Sequence, residues 1–189
     1  MARLALCGLV IMSRLPAWAQ EIQAPEYKLK AAFLYNFTKL VDWPGSAFTN
    51  STAPIVIGVL GKDPFGKALD NLIAGRRVKG RRLQTARFNF VEEITDCQVL
   101  FISESERRKL DPLFEALQGR PILTVGDRNG FETRGMITMV KTNDTIDLRI
   151  NLRAARQAGL QFSSRLTRLD QSQRPLGGDS TNAPPVNRN

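Results

Sequence analysis

The chain has 189 residues, 42% of them hydrophobic, which suits one domain with appendages and excludes two full domains. Lysine plus arginine number 27 against 18 acidic residues, a formal charge of +9, and there is no histidine. That absence removes Ser-His-Asp and Cys-His catalysis, histidine metal ligation and an imidazole pH switch. Two cysteines are too few for a disulfide framework or a four-cysteine zinc site.

Residues 1–19 read as a secretory signal peptide. Arg3 gives a positive start, Leu4 to Met12 is apolar, and Ala17-Trp18-Ala19 offers a small-x-small cleavage pattern, placing the cut after Ala19. Arg14 is the departure from that pattern. Cleavage would remove Cys7 and leave Cys97 alone, so the expected location is the periplasm without an internal disulfide. No later stretch is long and apolar enough for a membrane-spanning helix.

After a short leader, Pro25 and Glu26 suit the opening of a helix. Leu29, Ala32, Phe33, Asn36, Phe37 and Leu40 fall at helical spacing on one face, and Trp43-Pro44-Gly45 ends the element. Ile55 to Leu60 is apolar on both faces, the pattern of a central strand. Asp63 and Pro64 predict the cap and first residue of a helix that buries Phe65, Leu69, Leu72 and Ile73 and stops at Gly75. Leu83 to Phe90 and Val99 to Ser103 predict two further strands. Cys97 precedes the second of these in an apolar run and reads as a small buried hydrophobe. Ser103 and Glu106 have capping-box spacing ahead of a helix with Leu110, Leu113, Phe114 and Leu117 inside. Pro121 to Val125 predicts a strand. Met136 to Val140 and Ile146 to Ile150 predict a hairpin, and Asn151 caps a last helix that stops at Gly159. Residues 171–189 hold Pro, Gly and Asn with almost nothing apolar, so a disordered tail is expected. Together these predict an α/β fold: a single sandwich domain with a mixed, mostly parallel central sheet flanked by helices and a C-terminal hairpin plus helix.

Gly61-Lys62-Asp63-Pro64-Phe65-Gly66-Lys67-Ala68 matches G-x-x-x-x-G-K. A phosphate-binding loop then needs a hydroxyl for magnesium, and Ala68 stands there; Pro64 also removes one backbone donor. Nucleotide hydrolysis is therefore not expected, although anion binding at this helix start is physically reasonable. Arg76, Arg77, Lys79, Arg81, Arg82 and Arg87 make a local positive field. It suits an acidic partner surface or anionic headgroups better than nucleic acid, because aromatic residues for base stacking are missing until Phe88. A charged edge strand protected from aggregation explains the same residues. Arg149, Arg153, Arg156, Arg165 and Arg168, with Ser163 and Ser164, could hold a carboxylate or phosphate, or be solubilising charges. Glu92-Glu93 and Asp144/Asp147 are carboxylate pairs in sequence only. No nucleophile context and no oxygen-ligand calcium loop is present, so neither an enzyme nor a cofactor is expected.

An ordered set of segments carries a family resemblance. It comprises Tyr27-Lys28-Leu29-Lys30-Ala31-Ala32-Phe33-Leu34-Tyr35-Asn36-Phe37, Val41-Asp42-Trp43-Pro44, the run from Ile57 to Gly66, Cys97 to Ser103, Pro121 to Asp127, and Ile150-Asn151-Leu152 through Ala158-Gly159-Leu160. Over residues 26–170 the chain resembles the YfiR-like family of exported bacterial proteins. The resemblance implies a periplasmic α/β domain, often dimeric. It further implies a regulator that restrains an inner-membrane diguanylate cyclase or another membrane sensor, and thereby cyclic di-GMP signalling and biofilm formation. The redox response through paired cysteines that one member of that family shows has no counterpart here once Cys97 stands alone. Tyr35, Asn36 and Trp43 are candidates for a partner or dimer surface, and Arg76, Arg77, Arg81, Arg153, Arg156 and Arg165 for binding. The alternative reading is a periplasmic small-anion-binding domain without catalytic activity.

Overall fold

The structure is a computed structural model that describes residues 18–143 and 145–170, with side chains from residue 25 onward. All but the last two residues of the expected signal peptide, and the expected tail at 171–189, lie outside the described residues. In chain order the elements are α1 (Trp18–Leu40), β1 (Val41–Asp42), β2 (Ile55–Leu60), α2 (Lys67–Ile73), β3 (Arg77–Val78), β4 (Arg81–Phe88), β5 (Val99–Ile102), α3 (Leu110–Ala116), β6 (Leu123–Gly126), β7 (Ile137–Thr142), β8 (Thr145–Ile150), α4 (Leu152–Gln157), β9 (Gln161–Phe162) and α5 (Ser164–Thr167).

Seven strands form the main sheet in the order β3-β4-β2-β5-β6-β7-β8. The five inner strands are parallel. The outer strands β3 and β8 are antiparallel to their neighbours. Among the parallel strands the spatial order is second, first, third, fourth, fifth. The winding therefore reverses between β2 and β5, at the carboxyl ends of which the two connecting loops diverge. The expected mixed, mostly parallel α/β sheet with a C-terminal hairpin is the observed one.

Alternation along the strands divides the core into two layers. Ile55, Ile57, Val59, Val99, Phe101, Leu123, Val125, Ile137 and Met139 pack with residues of α1, α2, α4 and α5. Leu60, Leu100 and Ile102 pack on the other face with Leu113 of α3, Leu117 at its end, and Phe131. Gly58 is small for a reason: a Cβ there would stand 2.7 Å from Phe88 and 2.8 Å from the Cys97 sulfur.

Several boundaries differ from the pattern reading. α1 spans Trp18–Leu40 and so carries Pro25 inside it instead of at its start, at the loss of one backbone donor from the helical ladder. Its buried face is Lys30, Ala31, Leu34, Phe37 and Thr38, while Leu29 is 39% exposed and Asn36 is exposed. α2 starts at Lys67 with Gly66 as its cap. Asp63 instead closes a local turn, its Oδ1 accepting from the Phe65 N–H at 2.7 Å. The expected capping box is half formed. Ser103 Oγ accepts from the Ser105 N–H, but the Ser103 N–H donates to the Leu60 carbonyl, so Glu106 has no donor to receive there. β3 is an additional strand, joined to β4 by Lys79 and Gly80, both with positive φ (49° and 79°), as a two-residue hairpin turn requires. Asn151 caps α4 as expected, its Oδ1 accepting from the Ala154 N–H at 2.9 Å.

Candidate functional site

α1 is fixed to the sheet by charge as well as by apolar packing. Lys30 is 2% exposed, and its Nζ lies 2.7 Å from Asp127 Oδ2 and 2.6 Å from Glu26 Oε1. Tyr27 Oη donates to the same Asp127 oxygen at 2.9 Å, and Lys141 reaches Glu26 from β7 at 3.4 Å. Burial pulls the Glu26 carboxyl upward, but the hydrogen bonds and charges of Lys30 and Lys141 outweigh it and leave the group below the ordinary glutamate value. The cluster ties the first helix to the end of β6, which sets the position of the helix's C-terminal turns.

Those turns meet the β3–β4 hairpin. Arg76 Nη1 donates to Tyr35 Oη at 3.4 Å, with its guanidinium 4.9 Å from the ring centroid. Lys39 Nζ stands 4.0 Å from the same centroid and 3.5 Å from Asn36 Oδ1. The hydrogen bond from Arg76, then that from Lys39, lowers the Tyr35 phenol below its usual value. Lys79 donates to the Val41 carbonyl at 2.7 Å and pairs with Asp42. Arg81 donates to the Asn50 and Ala53 carbonyls and stacks over Phe48, 3.8 Å from the centroid. Arg77 Nη1 donates to the Gly80 carbonyl at 2.9 Å, and Arg82 is exposed. Helix end and sheet edge thus form one basic surface, in which two groups of candidates separated in sequence, Tyr35/Asn36 and Arg76/Arg77/Arg81, lie together. Pattern reading gave Lys39 and Lys79 no part in joining them. The Tyr35–Lys39 spacing of four residues on a helix was the available signal.

The remaining candidates are distributed differently. Trp43 is half-buried and its indole N–H donates to the Gln98 carbonyl at 3.1 Å. Arg153 and Arg156 lie exposed on α4 and Arg165 on α5, without an ion-pair partner among the described residues. Arg149 instead faces Glu132 at 3.5 Å, and the Ser163 hydroxyl caps α5. Arg87 is drawn away from the edge as well: it pairs with Asp63 at 3.0 Å and Asp70 at 2.7 Å.

Cys97 is a buried free thiol, and burial pushes it up to about 12, which removes thiolate reactivity at neutral pH. Among the described residues no group of three or more His, Cys, Asp or Glu side chains could hold a metal ion. None of the described helices is long and apolar enough to cross a membrane.

No curated protein matches the chain. The YfiR/HmsC-like family model matches residues 27–170, from Tyr27 of the buried cluster to Asp170, three residues past the end of α5. That family is one of periplasmic regulators acting through protein–protein contacts, with cyclic di-GMP signalling as its setting. The match spans well over half of the sequence and the whole of the described sheet, and the chain belongs to the YfiR/HmsC-like family.

Proposed function

We propose that this chain is a periplasmic regulator that docks on the periplasmic sensing region of an inner-membrane signalling protein, a diguanylate cyclase, and restrains it. Residues 1–19 direct export and are removed on translocation, and regulation needs no covalent chemistry from this domain. The observation that supports the docking mode best is the basic surface at the end of α1. Tyr35 is bracketed by Lys39 at 4.0 Å and Arg76 at 4.9 Å, which brings the end of the helix and the start of the edge hairpin side by side. Fixed cations spread over a rigid surface steer an acidic partner and set its orientation. The exposed Arg153, Arg156 and Arg165 extend the positive field over α4 and α5. Docking changes the partner's output only if the regulator binds its inactive state more tightly than its active one. A deletion strain should show raised cyclic di-GMP, restored by the wild-type chain but not by Arg76→Glu/Arg77→Glu. Unchanged cyclic di-GMP on deletion would reject the assignment to a cyclase.

A further inference from the structure

The winding of the sheet reverses between β2 and β5, and open α/β sheets bind small molecules in the crevice beyond the carboxyl ends of the strands at such a reversal. Here that crevice is a cavity of about 700 Å³. The loop after β2 supplies Lys62, Asp63 and Pro64, the loop after β5 supplies Ser103, Glu104, Ser105, Arg107 and Arg108, and Tyr27 of α1 forms a side wall. The size falls within the range of sites for metabolite-sized ligands, roughly 300–1,000 Å³.

The two loops are tied together before any ligand arrives. The Lys62 N–H donates to Ser105 Oγ at 3.0 Å, and Ser105 Oγ donates to Glu106 Oε1 at 3.0 Å. The approach is so close at Gly61 (φ 85°) that a Cβ would fall 2.3 Å from Ser105 Oγ. The Tyr27 ring is held by its bond to Asp127 and by edge contact with Phe65 at 5.5 Å between centroids.

The charges of the walls are unequally spent. Asp63 is bound by Arg87 and by the Phe65 N–H, and Glu104 pairs with Arg107 at 3.6 Å. Lys62 and Arg108 have no ion-pair partner among the described residues. Two uncommitted cations thus face a preformed polar cavity whose two lining acids, Asp63 and Glu104, each already have a cation partner. We infer that the crevice between the β2 and β5 loops is a binding site for a compact, multiply charged anion, a carboxylate or a phosphate, held by Lys62 and Arg108. The inference stands apart from the docking surface, which shares none of these residues.

Calorimetric titration of the purified protein with citrate and, separately, with inorganic phosphate tests it and distinguishes the two chemistries. At least one anion should bind saturably at one site. Lys62→Ala/Arg108→Ala should weaken that binding by at least about tenfold, the loss of two charge-assisted contacts. Arg76→Ala/Arg77→Ala removes the same charge from the other surface and should leave binding within about twofold. All four side chains are exposed, and unchanged thermal midpoints will show that the variants fold. No saturable heat with either anion would overturn the assignment. So would equal weakening by both double variants, which would reduce the effect to overall charge.

Discussion

The Lys30 cluster and the basic edge both concentrate charge around α1, yet they use it in opposite ways. Lys30 and Asp127 have side chains 3% and 8% exposed, and each is matched by an opposite charge. Arg76, Arg77 and Arg82 are exposed, and the two with partners hold neutral groups, the Tyr35 hydroxyl and the Gly80 carbonyl. Buried ions must be paired, because an uncompensated one cannot recover its lost hydration. Exposed cations on neutral anchors keep their full charge for a partner. One set therefore holds the domain together, and the other remains available for recognition.

The sharpest way to break this contrast is Lys30→Met, which leaves Asp127 buried without its cation. Urea unfolding should show a loss of roughly 3 kcal/mol. A loss below about 1 kcal/mol would mean that the cluster behaves as an exposed ion pair. A smaller effect is expected from Gly135→Ala in the loop that begins at Asp127. A Cβ there would lie 2.1 Å from the Phe131 ring, so overpacking should cost about 1–3 kcal/mol by the same measurement. An unchanged midpoint would show that Phe131 can move aside.

Glu26 sharpens the comparison by pH. Its folded value lies below the ordinary 4.5, so its stabilising contribution is present above 4.5 and is lost as pH falls through the lowered value. The stability difference between wild type and Glu26→Gln should be constant near neutrality and close in acid. A difference independent of pH would contradict the pairing. The smallest stability effect belongs to the basic edge. Arg76→Ala/Arg77→Ala should change unfolding free energy by no more than about 0.5 kcal/mol, as for other exposed sites. A larger cost would make these arginines structural.

The central strands were legible because their apolar runs exceed what one buried face requires: Ile55 to Leu60 is buried throughout. The Asn151 cap and the burial of Cys97 were equally readable, since local chemistry decides both. β1, β9 and α5 were not. Two-residue pairings such as Val41 with Phe162 arise from tertiary contact across the chain, with no local periodicity to announce them. The inner face of α1 was misplaced because hydrophobic spacing counts Leu29 as buried and Lys30 as exposed, and it takes carboxylates, Glu26 on the helix and Asp127 just beyond β6, to reverse that. The same limit applies to function. Arg76 and Tyr35 were each readable as surface candidates, but their junction depends on the β3–β4 hairpin. The crevice beyond β2 and β5 depends on strand order, which no segment encodes alone.

The most direct test is recovery of partners from membranes by the tagged, exported chain and by its Arg76→Glu/Arg77→Glu variant. The account predicts that the wild-type chain retains a transmembrane sensor in a salt-sensitive manner and that the charge-reversed chain, equally stable, does not. Equal retention by both chains, or recovery of soluble material only, would contradict docking through the basic edge.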